Sequence, residues 1–324
     1  MPQAFIKRTN NFNFHHKLYK RGDKIILALS GGPDSTAMAL IFSVLAKKYD
    51  LQLLGVHINY HLRKKDSEAD EAFVKKLCKK LGIGLKIFHY KKDKKGNLEE
   101  QLRFYRYELF EKVRKEKSFD LIATAHTLDD QAETFLMNLL RGAGQEGLGS
   151  LRTKRGNIIR PLLFVEKKEI LYFLKKSNQP FRIDKSNFDR TITRNKIRLN
   201  LIPYLEKNYN PKIKQVIAKT SEILNEQSFV IDKIARKYFE KLSLKKTDRI
   251  FFSKKELCQL DDPLLKKIFR QTIMELIGNL KNVEAGHFFE FKKTMLSQKA
   301  KKKKLKLGRL TIKFDKEMII FKKN

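Results

Sequence analysis

Six consecutive residues, Ser30-Gly31-Gly32-Pro33-Asp34-Ser35, combine two glycines, two hydroxyls, a carboxylate and a proline. Adjacent glycines let the backbone come close to an anion, and the amides that open a following helix point outward to receive it. Ser30 and Ser35 each supply a hydroxyl, while Asp34 can orient a magnesium ion or a water beside phosphates. Pro33 loses nothing at a helix start, where its missing N–H has no partner anyway. The Gly-Lys-Ser/Thr ending of the common ATPase loop is absent, as are the three spaced glycines of a dinucleotide fingerprint. A tight turn is the simpler reading, but a turn needs neither hydroxyl.

A second polar cluster is His126-Thr127-Leu128-Asp129-Asp130-Gln131-Ala132-Glu133-Thr134. On a helix that begins near Asp129, Asp130 and Glu133 are three apart and Asp129 and Glu133 four apart, so they share a face. Arg141, about two turns on, adds a cation near the helix end. Three carboxylates repel one another and any nearby phosphate unless a cation intervenes, and Mg²⁺ or a substrate ammonium would serve. Capping by Thr127 and first-turn acids explains part of this pattern. It does not explain the histidine.

Both clusters follow apolar runs of strand length. Such runs occur at residues 25–30, 51–60, 85–90, 119–126 and 158–163, with helical stretches between them and a further helix at 166–176. Alternation from residue 25 to about 176 predicts βα units and an α/β fold with a mostly parallel sheet. Such sheets bind ligands beyond the carboxyl ends of their strands, where both clusters fall. After Pro180, residues 181–193 are polar and irregular, and 194–241 read as mainly helical, with interruptions near Pro203 and Pro211. The last 80 or so residues suggest helices near 254–276 and 283–298, a lysine run at 299–304, and a hairpin from LKLGRLTIKF and KEMIIF. The expected domains are 1–205, catalytic; 206–245, a helical linker; and 246–324, small, basic and contacting RNA.

Seventy-one Lys and Arg residues against 36 acidic ones give a formal net charge of +35, which attracts polyanions with a salt-dependent affinity. A lysine-biased composition, with no Trp and 24 Phe, is the bland alternative. Lys301, Lys302 and Lys303 are either phosphate contacts or a solvated face. Cys78 and Cys258 are too few for a zinc site, an iron–sulfur cluster or a secreted disulfide scaffold. No apolar stretch reaches signal-peptide length near the N-terminus, and none approaches the roughly 20 residues of a membrane span. A soluble cytoplasmic protein with no membrane role is expected.

The loop resembles SGGxDS, the pyrophosphate loop of the PP-loop ATP-pyrophosphatases, at every fixed position. Residues 126–134 are similar to the GHHxDDQAET segment of the tRNA(Ile)-lysidine synthetases, and LLRGAGQEGLGSL to the RGxGxxGL stretch that follows it. Residues 57–81, Arg160-Pro161-Leu162-Leu163, Asp184-Lys185-Ser186-Asn187, Arg194-Asn195-Lys196-Ile197-Arg198 and Ile202-Pro203 resemble further landmarks of that family in the same order. The likeness runs from about residue 25 to 205. It departs at Asn59-Tyr60-His61, where the family has Asp-His-Gly, and at Ala125 and Thr127, where it has Gly and a second His.

The resemblance implies an α/β nucleotide-binding domain of the PP-loop type, with a helical extension and a small C-terminal domain. It also implies an ATP-dependent carbon–nitrogen ligase. ATP adenylates O2 of the wobble cytidine in a CAU-anticodon tRNA(Ile); the ε-amine of free L-lysine then displaces AMP, changing decoding from AUG to AUA. ATP would lie on Ser30, Gly31, Gly32, Pro33, Asp34 and Ser35, and Mg²⁺ on Asp34 and Asp130. Asp129 and Glu133 are the candidates for the lysine ammonium, and Asp34, His126, Asp130, Glu133 and Arg194 for the chemistry. Arg141 and Arg198 are expected on phosphate or tRNA, or in structural salt bridges. The base that deprotonates the lysine is a carboxylate or a phosphate oxygen. The family is often dimeric, so a homodimer is implied. A tRNA-thiolating enzyme, an amidating enzyme and a non-catalytic RNA binder are the rivals; the two cysteines, the basic tail and the intact motifs respectively weigh against them.

Overall fold

The computed structural model describes residues 2–62, 65–90, 98–183, 191–280, 283–297 and 303–324. The chain divides into two compact units, Met1–Asn225 and Glu226–Asn324. The division falls inside the segment expected to be a linker.

In the first unit, α1 (Pro2–His16), β1 (Lys24–Ala28), α2 (Pro33–Tyr49), β2 (Gln52–Asn59), α3 (Lys65–Leu81) and β3 (Gly84–His89) follow one another. Next come α4 (Leu98–Glu116), β4 (Leu121–Ala123), α5 (Leu128–Leu140), α6 (Gln145–Leu148), β5 (Lys154–Arg155), β6 (Ile158–Ile159) and α7 (Lys167–Lys176). The strands lie in the order β3-β2-β1-β4-β6-β5, parallel except for β5. The α/β reading holds.

β1 shows why its sequence is apolar throughout. Ile25 and Leu27 belong to one core cluster and Ile26 to another, because alternate side chains point to opposite sheet faces and each face is covered. From β1 the chain moves outward to β2 and β3, then returns to β4 on the other flank of β1. That reversal opens a crevice between the carboxyl ends of β1 and β4. Both polar clusters follow these two strands.

β6 is shorter than the run 158–163 suggested. Pro161 has no N–H to continue the ladder, and Leu162 and Leu163 turn into the core instead. α1, which the sequence did not announce, is held by aromatic stacking: Phe5 on Phe173 with centroids 4.7 Å apart, and Phe12 on Phe164 at 4.5 Å.

After residue 190 come α8 (Thr193–Lys196), a π-helical turn (Ile197–Leu201) and α9 (Ile202–Asn208). The Ile202 amide bonds the Ile197 carbonyl, five residues back. Pro203 cannot donate to the carbonyl four residues before it, which favours the wider turn. α10 (Ile213–Leu242) begins in the first unit.

The second unit contains β7 (Leu244–Lys246), β8 (Arg249–Ser253), α11 (Lys254–Cys258), α12 (Asp262–Ile277), α13 (Ala285–Leu296), β9 (Lys304–Leu307), β10 (Leu310–Phe314) and β11 (Met318–Lys323). Its sheet is antiparallel, ordered β7-β8-β11-β10-β9, so the expected hairpin is three strands of a five-stranded sheet. Phe239, Phe252, Phe269, Phe291, Phe314 and Phe321 are fully buried in its core. Pro263 opens α12 and separates it from α11 within the stretch read as one helix. Among the described residues, no helix is long and apolar enough to cross a membrane.

Candidate active site

Between β1 and α2 the backbone turns sharply. Gly31 has φ +85°, a region that strains any L side chain, and an added Cβ would lie 3.4 Å from Phe73 Cδ1 and 3.5 Å from Val74 Cγ2. The Ser30 amide donates to Ser35 Oγ at 3.2 Å, the two hydroxyl oxygens lie 3.1 Å apart, and Ser35 Oγ donates to the Gly32 carbonyl at 3.1 Å. The Gly31 carbonyl accepts from Thr36 Oγ1 at 3.3 Å and from the Arg182 amide at 2.9 Å. The loop is therefore braced from behind, while the first-turn amides of α2 have no acceptor within their helix.

Asp34 stands in that first turn. Its Oδ2 lies 3.6 Å from Lys167 Nζ, and its Oδ1 is buried without a hydrogen-bond partner. Burial pushes its pKa up to about 6; Lys167 opposes the shift, and the nearby charges of Asp130 and Asp129 reinforce it. A carboxylate so placed favours an additional cation or a proton.

The second cluster opens α5. Thr127 is the N-cap: its amide donates to Asp130 Oδ2 at 2.9 Å, and its Oγ1 accepts from the Asp130 amide at 3.3 Å, closing a capping box. Asp129 accepts from the Lys167 amide at 2.7 Å and pairs with Lys214 Nζ at 3.1 Å. Lys214 also reaches Glu166 at 3.2 Å and Glu206 at 3.1 Å. Burial opposes its charge, yet these carboxylates raise its pKa above the ordinary lysine range.

Asp130 Oδ1 lies 2.9 Å from Arg194 Nη2. Burial pushes this carboxyl up, but Arg194 and further cations hold its pKa down at about 2. Glu133 is wholly buried; its oxygens meet Arg194 Nε at 2.7 Å and Arg198 Nε at 2.5 Å. His126 Nδ1 is 2.9 Å from Thr124 Oγ1. Burial drives its pKa down to about 3 against the pull of Asp130, and Arg160, Arg194 and Arg103 add to the depression. The imidazole is neutral at physiological pH.

The structure thus brings the loop, His126, Asp129, Asp130, Glu133, Arg194 and Arg198 to one end of the sheet. It revises several expectations. Glu133 presents no open carboxylate for a lysine ammonium, since two guanidinia cover it. Asp130 is occupied by its cap and by Arg194, so as a metal ligand it would have to give up that pair. Arg198 serves Glu133, the structural salt bridge weighed from sequence. Arg141 caps the far end of α5, roughly 16 Å along the axis from Asp130.

Lys303 is exposed beside β9; Lys301, Lys302 and the segment 184–190 lie outside the described residues. Cys78 is buried in the core and its thiol pKa is pushed up to about 11 by burial, which suits packing and not attack. His61, where the family has Gly, has φ +52° and lies against His89 with ring centroids 5.0 Å apart; its amide donates to Asn59 Oδ1 at 2.9 Å. The departure therefore retains a turn that glycine would adopt more easily. Lys167 and Lys214 were missed. Nothing in the sequence distinguishes these two from so many other basic residues.

Among the described residues, no group of three or more His, Cys, Asp or Glu side chains forms a ready-made metal cage. The unpartnered Asp34 oxygen is the one observation that fits a divalent cation, and the open amides of α2 fit the phosphates that would accompany it.

Residues 3–205 match the PP-loop domain, and this chain belongs to that family. It is 34% identical over 279 residues to the tRNA(Ile)-lysidine synthase of Clostridioides difficile, covering 84% of this chain and 60% of that protein. It is 36% identical over 289 residues to the corresponding enzyme of Clostridium perfringens, covering 87% of this chain and 61% of that one. The chain thus spans about three fifths of the length of these curated relatives. The U34-tRNA thiolase NcsA from Methanococcus maripaludis shares the fold, with a TM-score of 0.59 at 24% identity over 69% of this chain and 80% of that one.

Proposed function

We propose that the chain is an ATP-dependent ligase that converts the wobble cytidine of a CAU-anticodon tRNA(Ile) to lysidine. The observation that carries this reading is the pair of motifs at the β1/β4 crevice, an open phosphate loop facing a neutral histidine and an ordered carboxylate–arginine cluster. The similarity to lysidine synthases supplies the substrate.

In the first step cytidine O2 attacks the α-phosphate of ATP and pyrophosphate leaves. The ε-amine of free lysine then attacks C2, and AMP leaves with the oxygen. The loop amides, Ser30 and Ser35 hold phosphate oxygens, and Arg194, fixed in place by Asp130 and Glu133, faces developing phosphate charge. Mg²⁺, held on Asp34, would offset negative charge on the phosphates. Neutral His126 can exchange hydrogen bonds with substrate without adding a charge. For Asp129 to hold the lysine ammonium, that ammonium must replace the one from Lys214, since both Asp129 oxygens are already engaged. The basic second unit would grip the tRNA backbone and set its register.

Transfer of labelled lysine tests this. With ATP, Mg²⁺ and a CAU tRNA(Ile) transcript, acid-stable label should appear on the RNA, and none when the wobble C is changed to U. Cleavage of ATP to AMP and pyrophosphate without lysine transfer would retain the loop assignment and overturn the lysine one.

A further inference from the structure

Among the described residues, five carboxylate, guanidinium or ammonium side chains are buried: Asp23, Glu133, Arg160, Glu166 and Lys214. Four have evident partners. Asp23 accepts the Lys20 amide at 2.8 Å, Glu133 holds two guanidinia, and Glu166 and Lys214 pair with each other at 3.2 Å. Arg160 differs. Its Nη1 donates to the Arg152 carbonyl at 2.6 Å and the Tyr107 hydroxyl lies beside it, but among the described residues no carboxylate pairs with it and its Nε is buried without a hydrogen-bond partner. A guanidinium taken out of water without an anion is costly, so an anion from outside is the natural complement.

The topology places Arg160 near the reaction. The Thr124 amide bonds the Ile159 carbonyl at 3.0 Å, so Arg160 leaves the carboxyl end of β6 beside the β4 end that carries His126. α4 leads into β4 and so runs back across the sheet, with its first half at the same end. Arg103 and Tyr107, four apart on that half, share a face, and the Arg103 guanidinium lies 5.5 Å from the Tyr107 ring centroid. The charges of Arg103, Arg160 and Arg194 all act on His126. Arg194 is balanced by Asp130 and Glu133, whereas among the described residues no carboxylate pairs with Arg160 or Arg103.

We propose that Arg160 and Arg103, with Tyr107 orienting the Arg160 guanidinium, form a phosphate-binding pocket beside His126. The ligand chemistry is a phosphate oxygen, carried either by the RNA strand or by the nucleotide. The inference rests on the proposed function for those two sources, and it places the phosphate contact on residues outside the SGGPDS and DDQAET motifs.

The test uses the full chain with Arg103→Ala and Arg160→Lys, and Lys112→Ala as a control for loss of one surface charge from the same helix. Dissociation constants are measured for Mg-ATP and for a CAU anticodon stem-loop RNA across a salt series. If the RNA supplies the phosphate, Arg103→Ala weakens RNA binding about tenfold or more and makes its salt slope shallower by about one, Arg160→Lys, which keeps the charge but loses the planar fork, weakens binding with the slope held, and ATP affinity is unchanged in both. If the nucleotide supplies it, ATP affinity falls by a similar factor and the RNA slope holds. Arginine variants that match Lys112→Ala for both probes overturn the pocket alone. A wild-type chain that binds neither probe overturns the proposed function as well. Arg103 is exposed, so its variant carries the test if Arg160→Lys fails to fold.

Discussion

The two halves of the site differ in how fully their polar atoms are satisfied. Around Glu133 every carboxylate oxygen already meets an amide, an ammonium or a guanidinium. In the phosphate loop, Asp34 retains a buried oxygen with no partner, and the α2 amides lack intrahelical acceptors. One half is a finished scaffold; the other is complete only with a ligand. Closed networks hold geometry, and open ones supply binding energy.

The strongest challenge to this contrast is Glu133→Ala. Removing a buried carboxylate from between two arginines should cost about 3–5 kcal/mol, read as a fall in the unfolding midpoint in denaturant. If stability holds and only the KM for lysine rises, Glu133 is a ligand-binding carboxylate after all.

Asp34→Asn should act in the opposite direction. The pKa of Asp34 is raised in the fold, so its charged form is penalised above about pH 6, and the penalty disappears toward the ordinary carboxylate range. The variant should gain up to about 3 kcal/mol at pH 7.5, a figure already net of the Lys167 pairing, and little near pH 4. ATP cleavage should be lost. An unfolding curve shifted equally at both pH values would refute an open, cation-seeking carboxylate.

Thr127→Ala tests the closed half more gently. Loss of the N-cap should cost about 1 kcal/mol and loosen Asp130, lowering kcat more than ATP affinity. A variant with unchanged stability would show that the cap is dispensable. The smallest effect concerns the thiols. Cys258 is exposed and Cys78 buried with a raised pKa, so one thiol should react with an alkylating probe in the native protein and the second only after unfolding. Rapid reaction of both would reopen a role for Cys78.

The candidate site was legible in the sequence because its signals are local. A strand, a glycine-rich turn and a capped helix are written in adjacent residues, and two such junctions in one parallel sheet must share an end. Partner choice was not written that way. Lys167 and Lys214 reach their carboxylates from elements distant in the chain, and lysine is too common here for position alone to mark them. α1 owes its place to Phe164 and Phe173, far along the chain. In the second unit, β7 and β8 precede three helices before joining β11, so only the contiguous strands looked like a pair. Arg194 and Arg198 were read only as part of a family-like stretch, and nothing local shows which carboxylate they meet.

The π turn before Pro203 has a consequence for chain length. Ile197 and Ile202 are buried in the same cluster although five residues apart; at about 100° per residue an α-helix would point them about 140° away from each other. The wider turn acts as a one-residue spacer that resets rotational phase. Arg194 before it and Arg198 near its start face Glu133, and downstream Ile202 faces the core. Deleting Leu199 or Asn200 would keep nearly every residue type yet rotate the rest of the helix out of step. This stretch should therefore tolerate changes of side chain far better than a change of length by one.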